Sequence, residues 1–417
     1  EDPASVIYIK QGQKITYDYA QLLQKASCVL AGLRAKKLEV GTPIIFQVRD
    51  NADFLVGFWG CLLGGFIPVP MAVAADFQTD TAAIENIHRV CAMLGDAPIL
   101  TTSQLFEEVS TMPWPQGQNP LRAINLAELE SFEADINYHK ASPTDVTLIM
   151  LTSGTTGAAK GVPLSHQNLI TYSVGSAEVN QLSQKTITLN WMPLDHVAGI
   201  TMSHLRDVYL GCEQVHVASS DILENPLLWV DLLEKYRVTL TFAPNFGFGL
   251  IAGLSEEVAQ RKWDLSALKV ILNGGEAVLS ATARQFIKMF LPSGLSKHAM
   301  CPAWGMSETS SAFTYARDFE LHNTSDTDSH VSVGPPTPGN MIRITDLDNN
   351  LLNEGETGRL QVKGNTVFGG YYKNPESGSH NAVAGKPRCY CAAGPAYQIP
   401  AVALSTQDAT AHHRNLP

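Results

Sequence analysis

The sequence predicts an α/β fold of two doubly wound, mostly parallel sheets packed together, followed by a small β-barrel. Three observations predict it. Short apolar strand-like runs alternate with segments of helical spacing from Val6 to Leu100, the rhythm of helices laid on both faces of a parallel sheet. A second series of the same kind runs from Ile187 to about Met300. From Glu356 to Lys373 short alternating strands with interspersed glycines take over, which suits a small barrel. A chain of 417 residues is also past the size at which one core keeps growing. The expected division is a large unit over 1–376, with subdomains of roughly 1–185, 186–330 and 331–376, and an atypical, disordered tail over 377–417.

In order, Val6 to Lys10 and Lys14 to Tyr17 read as strands, and Asp18 to Ala35 carries Leu22, Leu23, Ala26, Leu30 and Leu33 at helical spacing. Pro43 to Val48 reads as a buried strand. A helix from Ala52, a strand at Ile67, a helix near Ala82 to Leu94 and a strand at Pro98 to Leu100 follow. The apolar run Phe54 to Val73 has about the length of a bilayer span. Gly57, Gly60, Gly64, Gly65, Pro68 and Pro70 interrupt it, and Asp50, Asn51 and Asp53 mark its start as that of a soluble helix, so no membrane partner is expected. Thr102 to Pro143 is irregular, broken by Pro113, Pro115 and Pro120, and leads to a strand at Val146 to Leu151. The second series supplies strands at Thr188 to Met192, Gln214 to Val217, Leu240 to Phe242 and Val270 to Asn273.

Hydrophobic residues at 45% and charged residues at 17% describe an ordinary globular protein. A net charge of -11 with no basic run argues against a nucleic-acid partner, so any nucleotide bound is expected to be small. Seven widely spaced cysteines do not form a disulfide framework, which points to a reducing, cytoplasmic setting. No basic and apolar leader stands at the N-terminus, and no signal peptide is expected.

The chemistry concentrates in Leu151 to His166. Thr152, Ser153, Thr155 and Thr156 offer hydroxyls, Gly154, Gly157 and Gly161 free the backbone, and Lys160 supplies an ammonium. Glycines bring backbone N–H groups close to an anion and lysine adds a point charge, a composition that cradles phosphate. It is not a P-loop, because Ala159 precedes Lys160 and Gly161 follows it. Ser165-His166-Gln167-Asn168 signals a helix start directly afterwards. The loop is expected to hang from the carboxyl end of a strand, where ligands sit in open α/β sheets.

Four further runs stand out. Trp191 to Gly199 carries His196 at a strand end, by itself open to a structural or a functional reading. Leu272-Asn273-Gly274-Gly275-Glu276 has two glycines against which a flat heterocycle can lie, or is a plain strand-to-helix turn. In Ala303-Trp304-Gly305-Met306-Ser307-Glu308-Thr309 an aromatic ring precedes by four residues a carboxylate able to hold Mg²⁺; a core tryptophan and a solvated glutamate are the plainer alternative. The last run is Glu356 to Gly364, followed by Gly369-Gly370-Tyr371-Tyr372-Lys373-Asn374-Pro375.

Together these five runs resemble the motifs of the adenylate-forming superfamily, which includes acyl-CoA synthetases, fatty acyl-AMP ligases, luciferases and the adenylation domains of peptide synthetases. The resemblance extends from near residue 1 to Glu376. It implies ATP and Mg²⁺ as cofactors. Thr152 to Gly157 with Lys160 would hold phosphates, Gly274, Gly275, Glu276, Trp304, Gly305 and Ser307 would surround the adenine end, with Trp304 stacking, and Glu308 with Thr155 or Thr156 would hold the metal. His196, with Lys160 and Glu308, would be the catalytic set, His196 lying beside the substrate carboxylate. Gly274, Ala303, Ser311 and Ala312 would line a roomy acyl pocket, with Phe246 and Phe248 as walls. Amino-acid-activating relatives carry an aspartate where this chain has Val197, so an acid without an α-amino group is expected, unless a shifted register lets Asp195 pair with an ammonium.

After Glu376 the family's Thr-Gly-Asp run, hinge and small lysine-bearing domain do not follow. The expected function is ATP-dependent conversion of an aryl or acyl acid to its adenylate with release of pyrophosphate, within a peptide or polyketide synthetase and slow without the small domain. The acceptor would be a phosphopantetheine carrier protein or coenzyme A. A free-standing acyl-CoA synthetase or fatty acyl-AMP ligase is one alternative. An inactive nucleotide-binding fragment is another.

Overall fold

The computed structural model describes residues 4–115, 121–153, 159–353, 355–374, 389–391 and 398–400. Its strands, in chain order, are β1 (Ser5–Lys10), β2 (Gln13–Asp18), β3 (Pro43–Gln47), β4 (Ile67–Pro70), β5 (Ile99–Thr101), β6 (Ala123–Asn125), β7 (Val146–Ser153), β8 (Ala159–Ser165) and β9 (Ile187–Asn190). They continue as β10 (Glu213–Val217), β11 (Leu240–Ala243), β12 (Val270–Asn273), β13 (Met300–Met306), β14 (Ser311–Tyr315), β15 (Met341–Thr345), β16 (Thr357–Lys363), β17 (Cys389–Cys391) and β18 (Gln398–Pro400).

Two parallel cores form as expected. The smaller sheet has the order β4-β3-β5-β6, and the larger has eight strands in the order β14-β13-β12-β11-β9-β10-β1-β2. Only the rims of the larger sheet are antiparallel, at β13 with β14 and β1 with β2. Because parallel strands are buried on both faces, they read as unbroken apolar runs; Val270 to Asn273 is buried at every position. The Phe54 to Val73 run resolves into a helix, Asn51–Gly64, and β4. Asp50 caps the helix by accepting from the Ala52 N–H, and Gly65 ends it at φ 73°, a conformation that costs glycine nothing. Among the described residues no helix is long and apolar enough to cross a membrane.

Three expectations are corrected. The segment 1–185 does not form a unit of its own: β1 pairs in parallel with β10, placing the N-terminal hairpin in the second sheet. The phosphate-type loop follows the carboxyl end of a strand, β7, as expected, but that strand lies in no open parallel sheet: it pairs antiparallel with β8, Ser153 opposite Ala159. Finally, β15, β16, β17 and β18 form an antiparallel sheet in which β17 and β18 both pair with β16, and no closed barrel exists among the described residues. Of the segment 377–417, only β17 and β18 are described.

Candidate active site

The site follows from sheet order. In β12-β11-β9 three adjacent parallel strands end side by side, so residues that follow them converge: Trp191, Met192, Pro193, Asp195 and His196 after β9, Pro244 and Phe246 after β11, and Gly274 and Gly275 after β12. They line one cavity of about 1020 Å³. Its facing wall comes from the chain after β4, from Asp80, Asn86 and Arg89 on or before the helix Thr81–Leu94, and from Leu151, Thr152 and Ala159 at the root of the β7–β8 turn. The root of the expected phosphate loop, the expected histidine and the glycine pair therefore open on one space. Gly154, Thr155, Thr156 and Gly157 lie outside the described residues.

His196 caps the short helical turn Val197–Gly199 by accepting the Ala198 N–H at Nδ1, 3.1 Å. An accepting Nδ1 puts the neutral ring's proton on Nε2. Burial holds its pKa below the ordinary histidine value, opposed by the smaller effect of neighbouring Asp195. Asp195 also lines the cavity, and burial pushes its carboxyl above the usual range. The next residue turns away: Val197 is 6% exposed and packs in the core beside Leu194 and Ile200 instead of lining the cavity.

The glycine pair has two separate reasons. A Cβ at Gly274 would meet the Ala303 carbonyl oxygen at 2.4 Å, whereas Gly275 sits at φ 84°. Gly274 is thus required by the neighbouring strand, not only by a ligand. Glu276 accepts the Phe246 N–H at 2.6 Å, tying this turn to the start of the helix Asn245–Ala252 and holding Phe246, whose ring meets Trp191 edge-on at 6.0 Å. Phe248, expected as a second wall, is instead fully buried against Trp229 and Phe286. Ala303, Ser311 and Ala312 are buried as well, at 5%, 4% and 8% exposure. A Cβ at Gly305 would strike the Ser311 carbonyl at 2.0 Å, so close strand approach accounts for that glycine. Trp304 is half-buried and meets Phe313 edge-on; neither it nor Ser307 is among the residues lining the cavity.

Glu308 is 8% exposed and accepts the Tyr371 hydroxyl at 2.8 Å. The Lys160 ammonium stands over the same tyrosine's ring, 5.0 Å from its centroid. The residue that joins the expected metal ligand to the loop lysine was not foreseen, although the Gly369-Gly370-Tyr371 run was noticed; nothing in a local pattern names the partner of a hydroxyl.

The family model for AMP-binding enzymes matches residues 1–372. The chain belongs to the AMP-binding enzyme family. Among curated members, nonribosomal peptide synthetase apvA of Aspergillus terreus (strain NIH 2624 / FGSC A1156) is 33% identical over 371 residues, which is 86% of this chain and 39% of that protein. The chain thus spans about two fifths of such a relative. Among solved structures, the adenylation domain of a keto acid-selecting peptide synthetase module bound to keto acyl adenylate superposes with a TM-score of 0.88 at 34% identity, covering 94% of this chain and 74% of that one. The A-PCP portion of McyG complexed with phenylalanyl-adenylate gives 0.89 at 35% identity, covering 93% and 61%. This AMP-binding enzyme therefore shares its fold with domains solved with acyl adenylates bound.

Proposed function

We propose that this chain activates a carboxylic acid lacking an α-amino group, with ATP, to an acyl adenylate. The observation that carries the reading is the shared cavity: His196, the glycine pair and the root of the phosphate loop face one space large enough for an acid and a nucleotide. A substrate carboxylate oxygen attacks the α-phosphorus as the bond to pyrophosphate breaks, so the residues act by positioning and by offsetting charge. The Nε2 proton of His196 is available to donate to the substrate's oxygens. Lys160 and the hydroxyl of Thr152 serve the phosphates, with Ser153 and residues 154–157 of the same run.

Glu308 suits Mg²⁺: one carboxylate oxygen is held by Tyr371, and among the described residues no hydrogen bond occupies the other. When bound, that ion would neutralise phosphate charge, with Thr155 as a second ligand.

A 2-oxo acid or an aryl acid fits the reading best. The keto acid-selecting neighbour supports it. The phenylalanyl-adenylate of McyG and the presence of Asp195 in the cavity favour an α-amino acid as the second reading. Burial, which discourages ionisation of Asp195, weighs against it. The acceptor proposed is the phosphopantetheine thiol of a carrier protein, with coenzyme A as the alternative, and the setting cytoplasmic. The test is adenylate trapping as hydroxamate with paired acids, phenylpyruvate against phenylalanine, together with binding of the matching non-hydrolysable adenylate analogues. At least about tenfold preference for the oxo acid is expected from the cost of an unpaired ammonium. Preference for phenylalanine would overturn the substrate assignment, and an absence of binding by every analogue would overturn the activity.

A further inference from the structure

The run Asn365 to Tyr372 is pinned from several sides. The Asn168 amide donates to the carbonyls of Asn365 and Val367 at 2.7 and 3.1 Å, and Ser310 donates to that of Thr366 at 2.7 Å. Two backbone bonds then reach the functional elements themselves. The Phe368 N–H donates to the Glu308 carbonyl, 2.9 Å, and the Tyr372 N–H to that of Gly161, 2.8 Å. A Cβ at Gly161 would lie 3.2 Å from that of Tyr372, so the glycine next to Lys160 is what lets this strap lie close on β8. Tyr371, held in this frame and edge-on to Phe368 at 5.0 Å, gives its hydroxyl to Glu308 and its ring face to Lys160.

From this we infer that Tyr371 is a positioning residue that sets Glu308 for the metal and Lys160 for the nucleotide phosphates, keeping the two opposite charges from pairing with each other. The inference rests on the adenylate-forming reading of the cavity. An ammonium and a largely buried carboxylate on neighbouring elements attract strongly where water is scarce, and a direct pair would occupy both groups needed for a nucleotide and its cation. Among the described residues neither forms an ion pair. Tyrosine compensates each in a different way: a hydroxyl donated to the carboxylate fixes one oxygen, and the negative face of the ring receives the ammonium. The two services are separable by substitution. Tyr371→Phe removes only the hydroxyl; Tyr371→Leu removes hydroxyl and ring.

Binding of a fluorescent ATP analogue to the whole 417-residue chain, in EDTA and along a Mg²⁺ titration, reads both. For Tyr371→Phe the affinity in EDTA should stay within about twofold of the parent, while the Mg²⁺ concentration that gives half the metal-dependent gain rises about tenfold, the scale on which partners of metal ligands act. Tyr371→Leu should show the same metal shift plus a loss of about fivefold in EDTA, the scale of a cation–π contact, and Lys160→Met added to it should cost little more. Thermal unfolding of each variant checks the frame. Variants that bind as the parent does, or that lose metal-free and metal-dependent binding in equal proportion, overturn the inference alone. A parent chain that binds no nucleotide under either condition overturns the reading of the cavity and this inference with it.

Discussion

Acid should destabilise this protein through one fully buried histidine, His204. Its Nε2 accepts the Trp59 indole N–H at 2.8 Å and its Nδ1 faces the Gln214 side-chain oxygen at 2.8 Å. The same oxygen meets His216 Nε2 at 2.9 Å, and the Gln214 amide donates to the Tyr19 hydroxyl at 2.7 Å. Every member is satisfied by a neutral His204 protonated on Nδ1, and a second proton would face the indole donor with nothing to accept it. Burial pushes the pKa down to about 4. An unfolded histidine titrates near 6.5, so the unfolded chain takes up the proton first, and stability present above that pH is lost as pH falls toward the folded value. The linkage integral between these two values gives about 2 kcal/mol lost by pH 5 relative to pH 8, from this residue alone. Urea midpoints of the parent and of His204→Gln at several pH values between 8 and 4 measure it. The glutamine retains a donor and an acceptor but cannot titrate, so its stability should fall less steeply with acid by about that amount, whatever its absolute stability. Parallel curves for the two proteins would refute the reasoning.

Two further outcomes follow from packing. Asp207→Asn leaves Arg206, fully buried and paired through Nη2 at 2.7 Å, without its counter-charge, and should cost about 3–5 kcal/mol in chemical denaturation. Gly274→Ala sets a Cβ against the Ala303 carbonyl, so β12 and β13 must part; a loss of about 1–3 kcal/mol is expected, with weaker binding of adenylate analogues as the second readout.

What the sequence revealed about this site depended on how local each property was. Glycines, hydroxyls and a lysine within sixteen residues mark a candidate phosphate loop, and Ser165 with Asn168 announces the helix after it, where the structure has a reciprocal capping box. Strand partners are another matter. A period of two tells which residues share a face but not which strand lies alongside, so β7 and β8 were not recognised as a hairpin and β1 was assigned to the wrong sheet. The same limit applies to Val197 and Phe248: whether a side chain at a helix start faces cavity or core depends on what packs there. Gly274 was read as making room for a ligand, because its actual neighbour, Ala303, is distant in sequence. Tyr371 escaped for the same reason, since both of its partners lie far upstream.

The parallel pairing of β1 with β10 also bears on how the chain is made. Val6 lies opposite Gln214, so during synthesis the first strand waits for some two hundred residues to emerge, roughly ten to forty seconds at ordinary elongation rates. Until then the edge of β1 that pairs with β10, Val6 to Ile9, lacks that partner. The ribosome-bound chain therefore carries an unpaired strand edge, and holding that hairpin is a service a chaperone would render.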